Sequence, residues 1–229
     1  TGAIRSAGDA TLSATSLDNR NGSLTAQGQL GVNATQLQNA GGRIVGDRSV
    51  NLATASTAPG GTVASANDVS LSVAGDWQNT GLLSANRNLS ISADHIGNTG
   101  TLTAGSVFTA NADSLANSGE ISAAVTRIRV DGTLTNSGLI DGIDTRVQAD
   151  TLNNTGRIYG DQLVVTGDSV SNSDTGVIAA RDLLLIGART LQSSDEAIVY
   201  SAGNMAMGAG LTSQGVLQGS MQTLRNVGA

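Results

Sequence analysis

Chemistry in this chain would have to come from one histidine, sixteen aspartates, two glutamates and no cysteine. A hydrolytic triad needs a nucleophile and a base to activate it. The only candidate imidazole, His95, stands beside the apolar Ile96 at a turn edge and has no second histidine with which to share a metal. Glycoside hydrolysis needs two carboxylates held across a cleft. Aspartates are plentiful, but none gathers with aromatic sugar platforms, because Trp77, Phe108, Tyr159 and Tyr200 are the only aromatic residues. The glycines of "AGGRIVGD" lack the strand–turn–helix context of a phosphate loop or dinucleotide fingerprint. Asp94, Asp113, Asp150 and Asp168 recur at similar places, where hydration, arginine pairing or calcium would relieve their repulsion. No Gly-Gly-x-Gly-x-Asp repeat accompanies them. Catalytic, cofactor and metal residues are therefore assigned as none.

The cations tell a similar story. Twelve arginines and no lysine leave a net charge of −6, with no basic run to hold nucleic acid or an anionic membrane. Arg127 and Arg129 in "TRIRV", with Arg146 and Arg157, lie near Asp131, Asp141, Asp144 and Asp161 in the sequence. That composition reads as a solvated ionic face, with a protein or glycan contact patch as the alternative. A second candidate patch is Asp195, Glu196 and Tyr200 in "LQSSDEAIVYSAGNM", a stretch that breaks the pattern described next. The absence of cysteine excludes disulfide stapling and leaves the compartment open.

The elements that position these residues are announced by repetition. "LDNRNGSLTA", "LQNAGGRIVG", "WQNTGLLSA", "IGNTGTLTA", "LANSGEISA", "LTNSGLIDG" and "LNNTGRIYG" rewrite one phrase. Its opening residues are Leu17, Leu37, Thr57, Trp77, Ile96, Leu115, Leu134, Leu152, Val170, Leu191 and Leu211, at intervals of 18–21 residues. Such a period marks a solenoid, in which a unit too short to bury its own apolar face is covered by its neighbours. Pairs such as Leu89/Ile91 and Leu163/Val165 alternate with polar residues, the signature of half-buried strands. No stretch carries helical spacing. The predicted fold is all-β: a parallel β-helix of about twelve coils, a rod of roughly 55–60 Å at the spacing of paired strands.

Within each phrase an asparagine falls two places after the opener, at Asn19, Asn39, Asn79, Asn98, Asn117, Asn136, Asn154 and Asn172. A glycine commonly falls four places after it, at Gly41, Gly81, Gly100, Gly119, Gly138 and Gly156. Asparagine and glycine tolerate left-handed turn geometry, and amides stacked at one coil spacing can form a ladder of donors and acceptors. Both sets are expected to be structural. Thr57 and Pro59 depart from the phrase, and Pro59 is expected at a corner, since proline cannot donate to a ladder. Residues 1–229 read as one β-helix segment excised from a longer array, with partial coils at both ends.

Seven such phrases in register resemble filamentous haemagglutinin repeats, found in the large exoproteins of bacterial two-partner secretion. These include adhesins and contact-dependent growth inhibition effectors. The resemblance implies the right-handed hand of the helix and export through an outer-membrane two-partner-secretion transporter. It also implies location outside the cell or on its outer surface, as a monomeric rod. Its function would be that of a stalk presenting adhesive or toxin-delivering regions. An alternative is that a lateral face itself binds a host or target-cell receptor; a polysaccharide-active β-helix enzyme is the less favoured alternative. No nucleic-acid partner and no cofactor are expected.

Overall fold

The computed structural model describes residues 2–58, 60–212 and 215–227. Pro59 lies outside these residues. The chain divides into two compact units, Thr1–Ala112 and Asp113–Ala229. Both are built from the same coil, and the described residues contain strands and turns without a helix. Each is a right-handed parallel β-solenoid with a repeat near nineteen residues.

A coil presents three buried rows. In the coil that opens at Leu134, Ile140 fills the first, Thr145, Val147 and Ala149 the second, and Leu152 begins the third; all five are at most 1% exposed. Their neighbours Leu139, Arg146 and Gln148 face outward, so strict alternation follows from the pleat. Each inward residue sits directly on its counterpart one coil away. Ile121, Ile140, Ile158 and Ile178 stack in register through successive parallel pairings, as do Leu134, Leu152, Val170 and Leu191. In the amino-terminal unit Leu30, Val50, Val69, Leu89 and Phe108 form a column of the second row. Rows of Leu, Ile and Val suffice because each layer is one strand spacing thick. Phe108 and Trp77 are the two aromatic side chains that enter the core.

Some inward positions are polar. Thr126 is buried and donates to Asp141 O at 2.7 Å, whereas the buried hydroxyls of Thr57 and Thr145 have no hydrogen-bond partner among the described residues. Thr57 occupies an opener position, stacked on Leu37, where a leucine methyl group would fit without an unmet donor.

One expected opener is displaced. Leu191 pairs with Leu224, so the coil that starts at Leu191 does not close at Leu211. Instead, Gly210–Leu211 pairs antiparallel with Leu217–Gln218 in an inserted hairpin. Leu211 lies against Gly187. An apolar residue at nearly the right interval imitated the repeat, while its backbone hydrogen bonds close a local hairpin.

Candidate functional site

The repeated asparagines are 0–5% exposed. Their amides point along the solenoid and bond to one another. Asn19 Nδ2 donates to Asn39 Oδ1 at 2.7 Å and Asn79 to Asn98 at 2.8 Å. Asn117 donates to Asn136 at 2.8 Å, Asn136 to Asn154 at 2.8 Å and Asn154 to Asn172 at 2.7 Å. Each donor also reaches backbone carbonyls at the turn: Asn154 Nδ2 lies 3.1 Å from Gly156 O and 3.3 Å from Val177 O. The final Asn172 donates to Gly176 O and Ile198 O, at 3.1 and 2.9 Å. These amides satisfy turn carbonyls that are shut away from water, so no polar capacity is left pointing at a ligand.

The glycines serve a different need from the one their type suggests. Of the six repeated glycines, Gly41 alone has a positive φ, 65°. Four of the others are required by close approach. A Cβ on Gly81, Gly100, Gly138 or Gly156 would collide with the carbonyl oxygen of the glycine one coil before it. Left-handed geometry belongs instead to the longer turns, at Asn21, Asp174 and Asp195 (φ 53°, 55° and 61°) and at Gly41. Two turn types therefore coexist. In the short Asn-x-Gly form, turn amides donate to the preceding coil, as Gly156 N does to Asn136 O at 3.0 Å. In the long form the turn closes on itself, as Gly42 N does on Asn39 O at 2.9 Å.

The arginines do not share one face. Arg127 and Arg146 stack in register, and both address Asp144 between them: Arg127 through a short ion pair, Arg146 Nε at 3.6 Å. Arg129 turns to Asp131 at 3.2 Å. Two further inter-coil pairs, Arg181–Asp161 and Arg189–Asp168, each at 2.5 Å, line the corners of this unit. Arg189 thus stands beside one of the recurrent aspartates and neutralises it. In the other unit, the exposed Asp18 carboxyl is pulled down to about 2, first by its side-chain hydrogen bond with Arg20 and then by the Arg20 backbone N–H. Arg157 belongs elsewhere, in the outward column Leu139–Arg157–Val177–Ile198 beside the first buried row. Its guanidinium has no ion-pair or hydrogen-bond partner among the described residues.

Asp195 and Glu196 lie in the last long turn, where Ala197 N donates to Ser194 O at 3.2 Å. Tyr200 stands outward, 54% exposed, in register with Ala179 and, one coil further, Tyr159. Tyr200 and Arg157 therefore share a face that the primary structure shows only as separate irregularities. The apolar members Leu139, Val177 and Ile198 escaped the sequence reading. The available signal was an apolar residue immediately after the turn in three of these units, where the amino-terminal unit carries Ser23, Arg43, Thr62 and Thr101 with Leu82 as the one large apolar residue.

No group of three or more histidine, cysteine, aspartate or glutamate side chains among the described residues is arranged to hold a metal ion. What the arrangement defines is a parallel β-solenoid whose repeat residues are consumed in holding coil to coil. A haemagglutinin-repeat family model matches residues 1–72, 43–99 and 78–138, which together cover more than half of the chain. The chain belongs to the haemagglutinin repeat family. No curated protein and no solved structure matches it.

Proposed function

We propose that this segment is an extracellular structural stalk of a large bacterial two-partner-secretion exoprotein, holding adhesive or effector regions away from the cell surface. The observation that carries this reading is the destination of the distinctive residues. Asparagine amides bond asparagine amides, glycines admit the neighbouring turn, and aliphatic residues stack on aliphatic residues. A spacer needs that economy, since its task is length and stiffness. Family membership supports export by an outer-membrane transporter and residence on or outside the cell.

The test exploits the register. Leu17 and Leu37 are equivalent in adjacent coils, and so are Ser16 and Gln36. Deleting residues 17–36 from the full-length exoprotein removes one complete coil and rejoins Ser16 to Leu37 without shifting any pairing. A stalk tolerates this: an epitope tag beyond the segment is still displayed on intact cells, and binding by the distal regions is unchanged. Loss of cell binding by a deletion protein that is still displayed would sink the spacer reading.

A further inference from the structure

We infer that the outward face carrying Tyr159, Tyr200 and Arg157 is a docking surface for a protein loop or peptide that presents a carboxylate among aromatic or aliphatic side chains. This goes beyond the stalk reading and stands independently of it. The chain has two tyrosines. Both lie in one outward column, separated by Ala179, so their stems are two strand spacings apart, about 9.6 Å. The column beside them carries Leu139, Val177 and Ile198, with Ile198 52% exposed. The corresponding columns of the amino-terminal unit are more polar, running Ser23–Arg43–Thr62–Leu82–Thr101 and Thr25–Val45–Ala64–Ser84–Thr103, with one aliphatic residue in each apart from alanine.

Arg157 decides the partner's charge. It stands in the aliphatic column between Leu139 and Val177, next to the tyrosines, and lacks the aspartate that Arg127, Arg129, Arg146, Arg181 and Arg189 each possess. Covering the apolar neighbours strips water from this guanidinium, which then requires a carboxylate from the partner. Tyrosine and arginine set among aliphatic residues form the composition of binding hot spots. The aliphatic column favours a polypeptide over a glycan, whose hydroxyl-rich surface would leave Ile198 and Val177 poorly matched.

The backbone fixes how the partner binds. Arg157 and Val177 are hydrogen-bonded to coils on both sides, whereas Ile198–Ser201 pairs among the described residues with Val177–Ala180 alone. Over Arg157 no free ladder is offered, so recognition there runs through side chains. The apolar column spans three strand spacings, about 14 Å, which suits a short segment.

The experiment immobilises the 229-residue chain and pans a phage-displayed library of random peptides about twelve residues long against it. The Tyr159→Ser/Tyr200→Ser chain is used for counter-selection. Enriched peptides are expected to contain Asp or Glu close to aromatic or aliphatic residues. A synthetic consensus peptide should lose about tenfold or more in affinity on Arg157→Gln and on Tyr200→Ser, as for truncation of a desolvated anchor. Arg129→Gln, on another face, should leave affinity unchanged, and circular dichroism should match in all variants. Failure to enrich peptides, a consensus without carboxylates, or affinity indifferent to Arg157→Gln overturns the inference. None of these outcomes bears on the coil-deletion test of the stalk.

Discussion

Asn154→Ala removes one rung of the amide ladder, and its cost can be worked from the atoms. Asn154 Oδ1 accepts from Asn136 Nδ2 at 2.8 Å, and its own Nδ2 donates to Asn172 Oδ1 at 2.7 Å. Asn136, Asn154 and Asn172 are each 0% exposed, so water cannot replace what is lost. Truncation leaves the Asn172 Oδ1 acceptor without its donor, and Asn136 Nδ2 loses one of its acceptors. A buried group left unsatisfied costs about 1–3 kcal/mol. One such group, the lost bond of the Asn136 amide, which keeps Gly138 O and Arg157 O, and the space vacated by the carboxamide predict a loss of about 2–4 kcal/mol. The adjacent Asn153 is exposed and supplies a control of the same residue type; its alanine variant should stay within about 0.5 kcal/mol of the parent. Urea unfolding followed by far-ultraviolet circular dichroism measures both. Asn154→Asp adds a sign test, because it keeps Oδ1 but aims a second oxygen at Asn172 Oδ1 and the carbonyls of Gly156 and Val177. Burial beside these acceptors raises the carboxyl's folded pKa above its unfolded value of about 3.9. That variant should therefore lose stability as the pH rises above about 4 and recover on acidification. Equal urea midpoints for Asn154→Ala and Asn153→Ala would refute the claim that the ladder carries stability.

Gly138→Ala drives a Cβ into Gly119 O and should cost about 3 kcal/mol or more, whereas Gly8→Ala meets nothing within 4 Å and should be near neutral; thermal melts compare the two. Phe108→Ala empties a fully buried position stacked on Leu89, for a loss of about 3–5 kcal/mol in urea unfolding. Arg20→Gln should raise the Asp18 carboxyl only part of the way toward the ordinary range, because the backbone N–H of residue 20 still donates to it; carbon NMR titration reads the shift. In the parent chain the Asp18 pair stabilises the fold above the unfolded carboxylate pKa, and that contribution fades as pH falls through about 2.

The repeat was legible because a layer one strand thick leaves little freedom in its inward residues. Ile121, Ile140 and Ile158 recur in the sequence because each must cover the last. The outward residues obey no such rule, so the linear order misgrouped them. Arg127 and Arg157 look like neighbours in one arginine-rich stretch, yet they occupy different faces, and Arg157 and Tyr200 share a face two coils apart across more than forty residues of chain. The glycines show a subtler limit. Residue type revealed that a Cβ is forbidden at Gly138, but left-handed geometry and a stacked carbonyl forbid it equally well. Leu211 misled for a third reason, since periodicity cannot separate a coil-closing residue from one in an inserted hairpin.

Variation in coil length has a definite location, and that location explains how the ladder survives it. The coil opening at Leu152 has 18 residues and the one opening at Val170 has 21. Two of the three extra residues fall between Asn172 and Gly176, where the shorter turn runs from Asn154 to Gly156. The third falls at the corner where Arg181 and Asp182 face the single Asp161. Neither insertion lies between the opener and its asparagine. Val170 therefore still stacks on Leu152, and Asn172 still accepts from Asn154 at 2.7 Å. Even its reach to the turn carbonyl is kept: Asn172 Nδ2 lies 3.1 Å from Gly176 O, as Asn154 does from Gly156 O, although two more residues separate the partners. The left-handed Asp174 absorbs the extra chain. The same logic admits the hairpin at Gly210–Leu211, since Leu224 returns to the column of Leu191 once the insertion ends. A solenoid built this way can accept loops at its turns and corners without disturbing its core, leaving the outward faces free to diverge while the stack persists.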